Sequence, residues 1–157
     1  MPAHHLSISI SSAVEMTRLA ALLATKLAPG DVILLTGDVG AGKTHFARSL
    51  IQSVLVQPED VPSPTFTLVQ TYDTQVGEIW HADLYRLTSV FEVEELGLID
   101  AFDTSVCLVE WPDRLGPLTP ANALSITLTP GDADNARQLM MHWEDPKWTN
   151  KLGAFQA

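Results

Sequence analysis

The feature that most constrains this chain is a change of pattern between residues 32 and 54. Val32-Ile33-Leu34-Leu35 is an unbroken apolar run, which suits a strand covered on both faces rather than one with a wet side. It leads into Gly37-Asp38-Val39-Gly40-Ala41-Gly42-Lys43-Thr44, after which Phe46, Ala47, Leu50, Ile51 and Val54 recur at helical spacing. A doubly covered strand needs a layer on each side. The order strand, glycine-rich turn, helix therefore predicts an α/β fold, a mixed, mainly parallel sheet flanked by helices.

The turn carries chemistry of its own, because Gly37 to Thr44 satisfies G-x-x-x-x-G-K-[ST] in full. Glycines let the backbone wrap closely round a phosphate with its N–H groups pointing inward. Lys43 can then reach the β and γ oxygens and Thr44 can offer a hydroxyl to Mg²⁺. The following helix presents its positive end to the same anions. This is the spacing of a P-loop, and it makes Asp38, Val39, Gly40, Ala41, Gly42, Lys43 and Thr44 the candidate residues for binding ATP, with Mg²⁺ as the accompanying ion.

Such a site also needs a carboxylate at the end of a neighbouring strand to complete the magnesium octahedron. Two positions qualify. Glu110 follows the apolar run Val106 to Val109, and Asp83 follows Glu78 to Ala82. The purely apolar strand is the better candidate for the place beside the P-loop strand, so Glu110 is expected to share the metal with Thr44 and Asp83 to orient the attacking water. Ser63-Pro64-Thr65-Phe66 lies in a proline-rich loop where a hydroxyl could sense a γ-phosphate. On composition alone, an ordinary proline turn capped by serine explains it equally well.

Elsewhere the reading is coarser. Leu6, Ile8 and Ile10 alternate with serines as a half-buried strand would, and Ser12 with Glu15 has capping-box spacing for a helix running through about Leu27. Leu68 to Tyr72 and Glu78 to Ala82 are expected to form a hairpin, Phe91 to Leu96 a short acidic helix ended by Gly97, and Ser105 to Val109 a second apolar strand. Two further strands, Leu124 to Leu128 and Gln138 to Trp143, flank the turn at Pro130-Gly131-Asp132, and a weak helix follows. His4 and His5 read as terminal and solvent-exposed, and His81 as a neutral histidine within a strand. Core packing is the commoner explanation for Trp143, Trp148 and Phe155, with a partner surface as the alternative.

Composition narrows the partners. The 157 residues suit one domain, 1–157, and a formal charge of −10, from 19 acidic and 9 basic side chains, disfavours extensive direct contact with nucleic acid. An RNA pathway would have to be served by docking on a partner that carries the basic surface. Cys107, the single cysteine, lies in an apolar run and reads as a buried thiol without a catalytic role. No basic, apolar leader opens the chain, and Lys26 interrupts its most hydrophobic helical stretch, so a cytoplasmic location away from membranes is expected.

Three more segments extend the pattern: Ser63-Pro64-Thr65-Phe66-Thr67-Leu68-Val69, His81-Ala82-Asp83-Leu84-Tyr85-Arg86-Leu87 and Leu108-Val109-Glu110-Trp111-Pro112. In this order, after the P-loop, they resemble the TsaE (YjeE) family of ATPases over about residues 11–114. The resemblance implies an ATPase that works with TsaB and TsaD-like proteins in making threonylcarbamoyladenosine in tRNA. It would act on those partners and meet tRNA only indirectly, through the complex. It also implies that Thr44 and Glu110 hold Mg²⁺ and that Thr65, Asp83 and Trp111 belong to the switch and catalytic region.

A small-molecule P-loop kinase is the rival enzyme class. It would need cations gathered over the transferred phosphoryl group, yet Arg48, Arg86, Arg114, Arg137, Lys147 and Lys151, which follow Lys43, form no lid-like cluster in sequence. A GTPase would need Asn-Lys-x-Asp, and Asn150-Lys151-Leu152-Gly153 has glycine in place of the aspartate. A nucleotide-dependent adaptor without useful turnover remains the non-enzyme alternative.

Overall fold

The computed structural model describes residues 3–38, 41–134 and 136–155. Its centre is a seven-stranded sheet in the order β1-β7-β6-β2-β5-β4-β3. The strands are β1 (His4–Ile10), β2 (Val32–Thr36), β3 (Val69–Thr74), β4 (Gly77–Asp83), β5 (Val106–Glu110), β6 (Leu124–Pro130) and β7 (Arg137–Trp143). The four middle strands, β6, β2, β5 and β4, are mutually parallel, while β1 with β7, β7 with β6 and β4 with β3 pair antiparallel. Five strands thus run one way and two, β7 and β3, the other, a mixed and mainly parallel sheet.

The apolar run behaves as its composition demands: Val32, Ile33, Leu34 and Leu35 are all buried in β2, between β5 and β6. Alternate residues feed two separate cores. Ile33 and Leu35 join Leu23, Phe46, Leu50, Ile51, Leu108 and Ile126 on one face, and Val32 and Leu34 join Leu84, Leu98, Phe102, Cys107 and Val109 on the other. Helices α1 (Ala13–Ala24) and α2 (Lys43–Val54) supply the first face, and α3 (Val90–Glu95) and α4 (Leu98–Thr104) supply the second. Trp143 and Trp148 are buried in the first core and Phe155 packs against it, so the C-terminal aromatic residues are packing groups.

Several boundaries differ from the sequence reading. Helix α1 starts where Ser12 accepts the Glu15 N–H at 3.2 Å but ends at Ala24; Lys26 and Leu27 continue as tighter turns bonded to Leu23 and Ala24. Gly97, with φ 81°, both ends α3 and opens α4, a helix the sequence reading lacked. Leu68 lies outside β3 at φ 69°, turning the chain so that its carbonyl accepts the Asp83 N–H. His4 and His5 belong to β1, where His4 is half-buried and stacks on Trp143 at 5.7 Å. The last helix, α5 (Pro146–Lys151), is tied down by Asp31, whose carboxylate accepts from Lys147 Nζ at 2.9 Å and Lys151 Nζ at 2.6 Å. Among the described residues no helix is long and apolar enough to cross a membrane.

Candidate functional site

The parallel strands β2, β5 and β4 end side by side, and the register sets Leu35 opposite Glu110 and Asp83 opposite Glu110. Two carboxylates therefore stand at the carboxyl edge of the sheet, where open α/β sheets place their ligand crevices. The chain leaving β2 turns at Gly37 and re-enters a helix at Gly42, whose φ of 108° suits a residue without a Cβ. A Cβ at Gly37 would stand 2.7 Å from the Leu128 carbonyl oxygen, so the loop passes too close to β6 for any larger residue. Lys43 and Thr44 are then delivered on the first turn of α2. Val39 and Gly40 lie outside the described residues, so the site is built here from Asp38 and from Ala41 to Thr44.

A cavity of about 440 Å³ opens at this edge, lined by Gly42, Lys43, Thr44, Thr65, Asp83, Glu110 and Trp111 among others. Seven residues singled out in the sequence thus meet in one place: Gly42, Lys43, Thr44, Thr65, Asp83, Glu110 and Trp111. Thr44 Oγ1 donates to Glu110 Oε1 at 2.8 Å, and Thr65 Oγ1 donates to Asp83 Oδ2 at 3.1 Å. Ser63 Oγ lies 2.7 Å from Thr65 Oγ1, and Asp83 Oδ1 accepts the Tyr85 N–H at 3.0 Å. The two carboxylates therefore have separate partners, one facing α2 and one facing the 63–66 loop.

Lys43 is buried, and its ammonium donates to the carbonyls of Gly37 and Asp38. Desolvation pulls its pKa below the usual lysine value, against the pull of Glu110, Asp83 and Asp38 in the other direction. The indole of Trp111 covers it at 4.2 Å. Trp111 achieves this from a left-handed backbone, φ 58° and ψ 55°, which costs a non-glycine residue about 1–2 kcal/mol. The bend throws the ring back over the loop immediately after β5, and Tyr85 packs on it at 4.8 Å.

Thr44 and Glu110 offer hard oxygen donors side by side, a pair that fits a small divalent ion taking its other ligands from phosphate and water. Among the described residues no group of three or more His, Cys, Asp and Glu side chains gathers as a metal cluster. The sequence reading assigned no role to His81, yet it is fully buried with Nε2 2.6 Å from Glu110 Oε2. The signal was present in the strand alternation, since His81 and Asp83 are two apart and share a face.

These features define an α/β protein with a glycine turn before α2 and paired carboxylates at the carboxyl edge of its sheet. A family described as threonylcarbamoyl adenosine biosynthesis protein TsaE matches residues 10–139, further toward the C-terminus than the motifs alone reach, and the chain belongs to the TsaE family. It is 42% identical over 114 residues to the tRNA threonylcarbamoyladenosine biosynthesis protein TsaE of Rickettsia felis, covering 73% of this chain and 67% of that one. The Rickettsia prowazekii protein of the same description is 36% identical over 137 residues, covering 87% and 94%. That of Bacillus subtilis is 38% identical over 115 residues, covering 73% and 71%. The crystal structure of Bacillus subtilis YdiB has the same fold, with a TM-score of 0.79 at 24% identity over 99% of this chain and 97% of that one.

Proposed function

We propose that this chain binds and hydrolyses ATP with Mg²⁺, as a cytoplasmic component of the machinery that makes threonylcarbamoyladenosine in tRNA. It acts there on TsaB and TsaD-like partner proteins rather than on the base. The observation that carries the reading is the convergence of Lys43, Thr44, Thr65, Asp83 and Glu110 on one cavity at the start of α2. The names of the relatives supply the pathway.

In this reading the triphosphate lies against the first turn of α2, where backbone N–H groups and the helix dipole favour negative charge. Lys43 grips the β and γ oxygens and recovers by ion pairing what its ammonium loses to desolvation. Thr44 and Glu110 would hold the magnesium ion, which when bound withdraws charge from the phosphoryl oxygens. Asp83 orients the water for in-line attack, and Thr65, bonded to Asp83, couples that carboxylate to the 63–66 loop. Among the described residues Lys43 is the one Lys or Arg lining the cavity, so transition-state charge at the γ-phosphoryl group stays partly uncompensated. A cation supplied in trans adds about 10³–10⁵ in rate elsewhere, and partner proteins are the natural source.

Thermal unfolding with and without ATP and Mg²⁺ tests the grip. Ligand at about 100 times its dissociation constant stabilises by ~2.7 kcal/mol, roughly 5–10 °C for a chain of this size. Lys43→Ala should lose most of that gain. An equal gain in the variant would refute the site.

A further inference from the structure

The site as described leaves one polar side chain unused. His81 is fully buried on β4, does not line the cavity, and among the described residues makes a single polar contact, from Nε2 to Glu110 Oε2. Its other nitrogen, Nδ1, has no hydrogen-bond partner among the described residues. A carboxylate accepts, so in this contact Nε2–H is the donor and Glu110 Oε2 the acceptor. Burying an imidazole with one nitrogen orphaned costs free energy, and nothing in the apolar packing of this face calls for a histidine.

Glu110 explains the cost. Its carboxylate is almost wholly buried and must be satisfied there. One oxygen accepts from Thr44 at 2.8 Å and the other from His81 at 2.6 Å. With one oxygen tied below, the carboxylate plane is fixed and the oxygen facing Thr44 stays on the cavity side. Without the imidazole, Oε2 would lose its partner, and the side chain would be free to rotate away from Thr44 in search of one.

We propose that His81 is a positioning residue for Glu110, setting the affinity of the site for a divalent cation without contributing to the grip on nucleotide. The proposal rests on the ATP and Mg²⁺ reading above and goes beyond it by assigning the buried support of the metal carboxylate. Supports of this kind change metal affinity by about 10–100-fold when removed.

Two substitutions separate position from packing: His81→Leu removes the donor and keeps the bulk, while His81→Gln carries an N–H donor to nearly the place of Nε2. Calorimetric titration of ATP in EDTA and in Mg²⁺, with Mn²⁺ titrated into the nucleotide complex by electron paramagnetic resonance, should give a distinct pattern. In His81→Leu the cation requirement rises about 10-fold or more while the EDTA affinity for ATP changes less than about 2-fold; His81→Gln recovers most of the loss. An unchanged cation requirement in a folded His81→Leu protein would overturn the proposal. So would a parallel fall of both affinities in both variants, the signature of a merely structural histidine. Long-range ¹H–¹⁵N spectra of the nucleotide-free wild type should report the Nε2–H donor, with the signal perturbed in Glu110→Gln. If wild type fails to bind ATP, it is the ATP reading that falls, and those imidazole signals still decide whether His81 holds Glu110.

Discussion

Asp31 offers the most direct test of how the C-terminal segment is held to the sheet. Its buried carboxylate lies just before β2, where Oδ2 accepts the Ala28 N–H at 2.9 Å and Lys151 at 2.6 Å, and Oδ1 accepts Lys147 at 2.9 Å. The lysine side chains are 27% and 23% exposed, so each ion pair sits nearer the surface range, ~0.5–1 kcal/mol, than the value for a fully buried pair. The charge-assisted bond from Ala28 adds ~1.5 kcal/mol. Asp31→Ala should therefore destabilise by about 3 kcal/mol, seen as a fall in Tm of roughly 6–12 °C in a circular-dichroism melt. Asp31→Asn keeps an acceptor for Ala28 and loses only the charge, so about half the effect should remain. The gap between wild type and Asp31→Asn should narrow in 1 M salt, where the Debye length is about 3 Å. An Asp31→Ala protein melting within about 1 °C of wild type would refute this account of how α5 is anchored.

Glu110→Gln should weaken ATP binding in Mg²⁺ by about 10-fold or more yet leave binding in EDTA nearly unchanged; a metal defect in Asp83→Asn instead would reverse the roles of the two carboxylates. Isolated protein should hydrolyse ATP slowly and gain at least about 10-fold with the partner pair, and Thr65→Ala and Asp83→Asn should each abolish the gain in steady-state rates without much change in ATP affinity. Burial, with a smaller push from Glu78, drives the Cys107 thiol up to about 12 from 9.0. An unfolded chain then ionises before the folded one, so stability present below pH 9 is lost as pH rises toward 12, by ~1.4 kcal/mol per unit from this group. Urea midpoints across that range should fall more steeply in wild type than in Cys107→Ala.

The centre of this molecule was legible because its signals are local. Val32 to Leu35 must be covered on both faces, the glycines before Lys43 must turn tightly, and helical spacing from Phe46 to Val54 allows one continuation. Thr44 meeting Glu110 followed from the same logic, because the strand before the glycine turn and a central apolar strand have few ways to be other than neighbours. What stayed hidden depends on long-range geometry. Helix α4 was missed because Gly97 reads as an end, and nothing local says that one left-handed residue can end one helix and start another. His81 was assigned no role because its partner is 29 positions away, and only the parallel register of β4 on β5 brings the two together. The indole of Trp111 over Lys43 rests on a backbone conformation that sequence patterns disfavour.

The pairing of β1 with β7 bears on how the molecule comes to be folded. His4 lies opposite Trp143 and Ile10 opposite Arg137, so β1 leaves the ribosome well before the strand it pairs with. Pairings of such long sequence separation are slow to form, because a large loop must close before any contact repays its entropy. Until then Leu6, Ile8 and Ile10, one apolar stripe between exposed serines, remain in water with both strand edges open. The parallel centre, with α1 and α2 already against it, can assemble first. Until β1 closes onto β7, that stripe lies on a strand whose unpaired edges can template pairing with another chain.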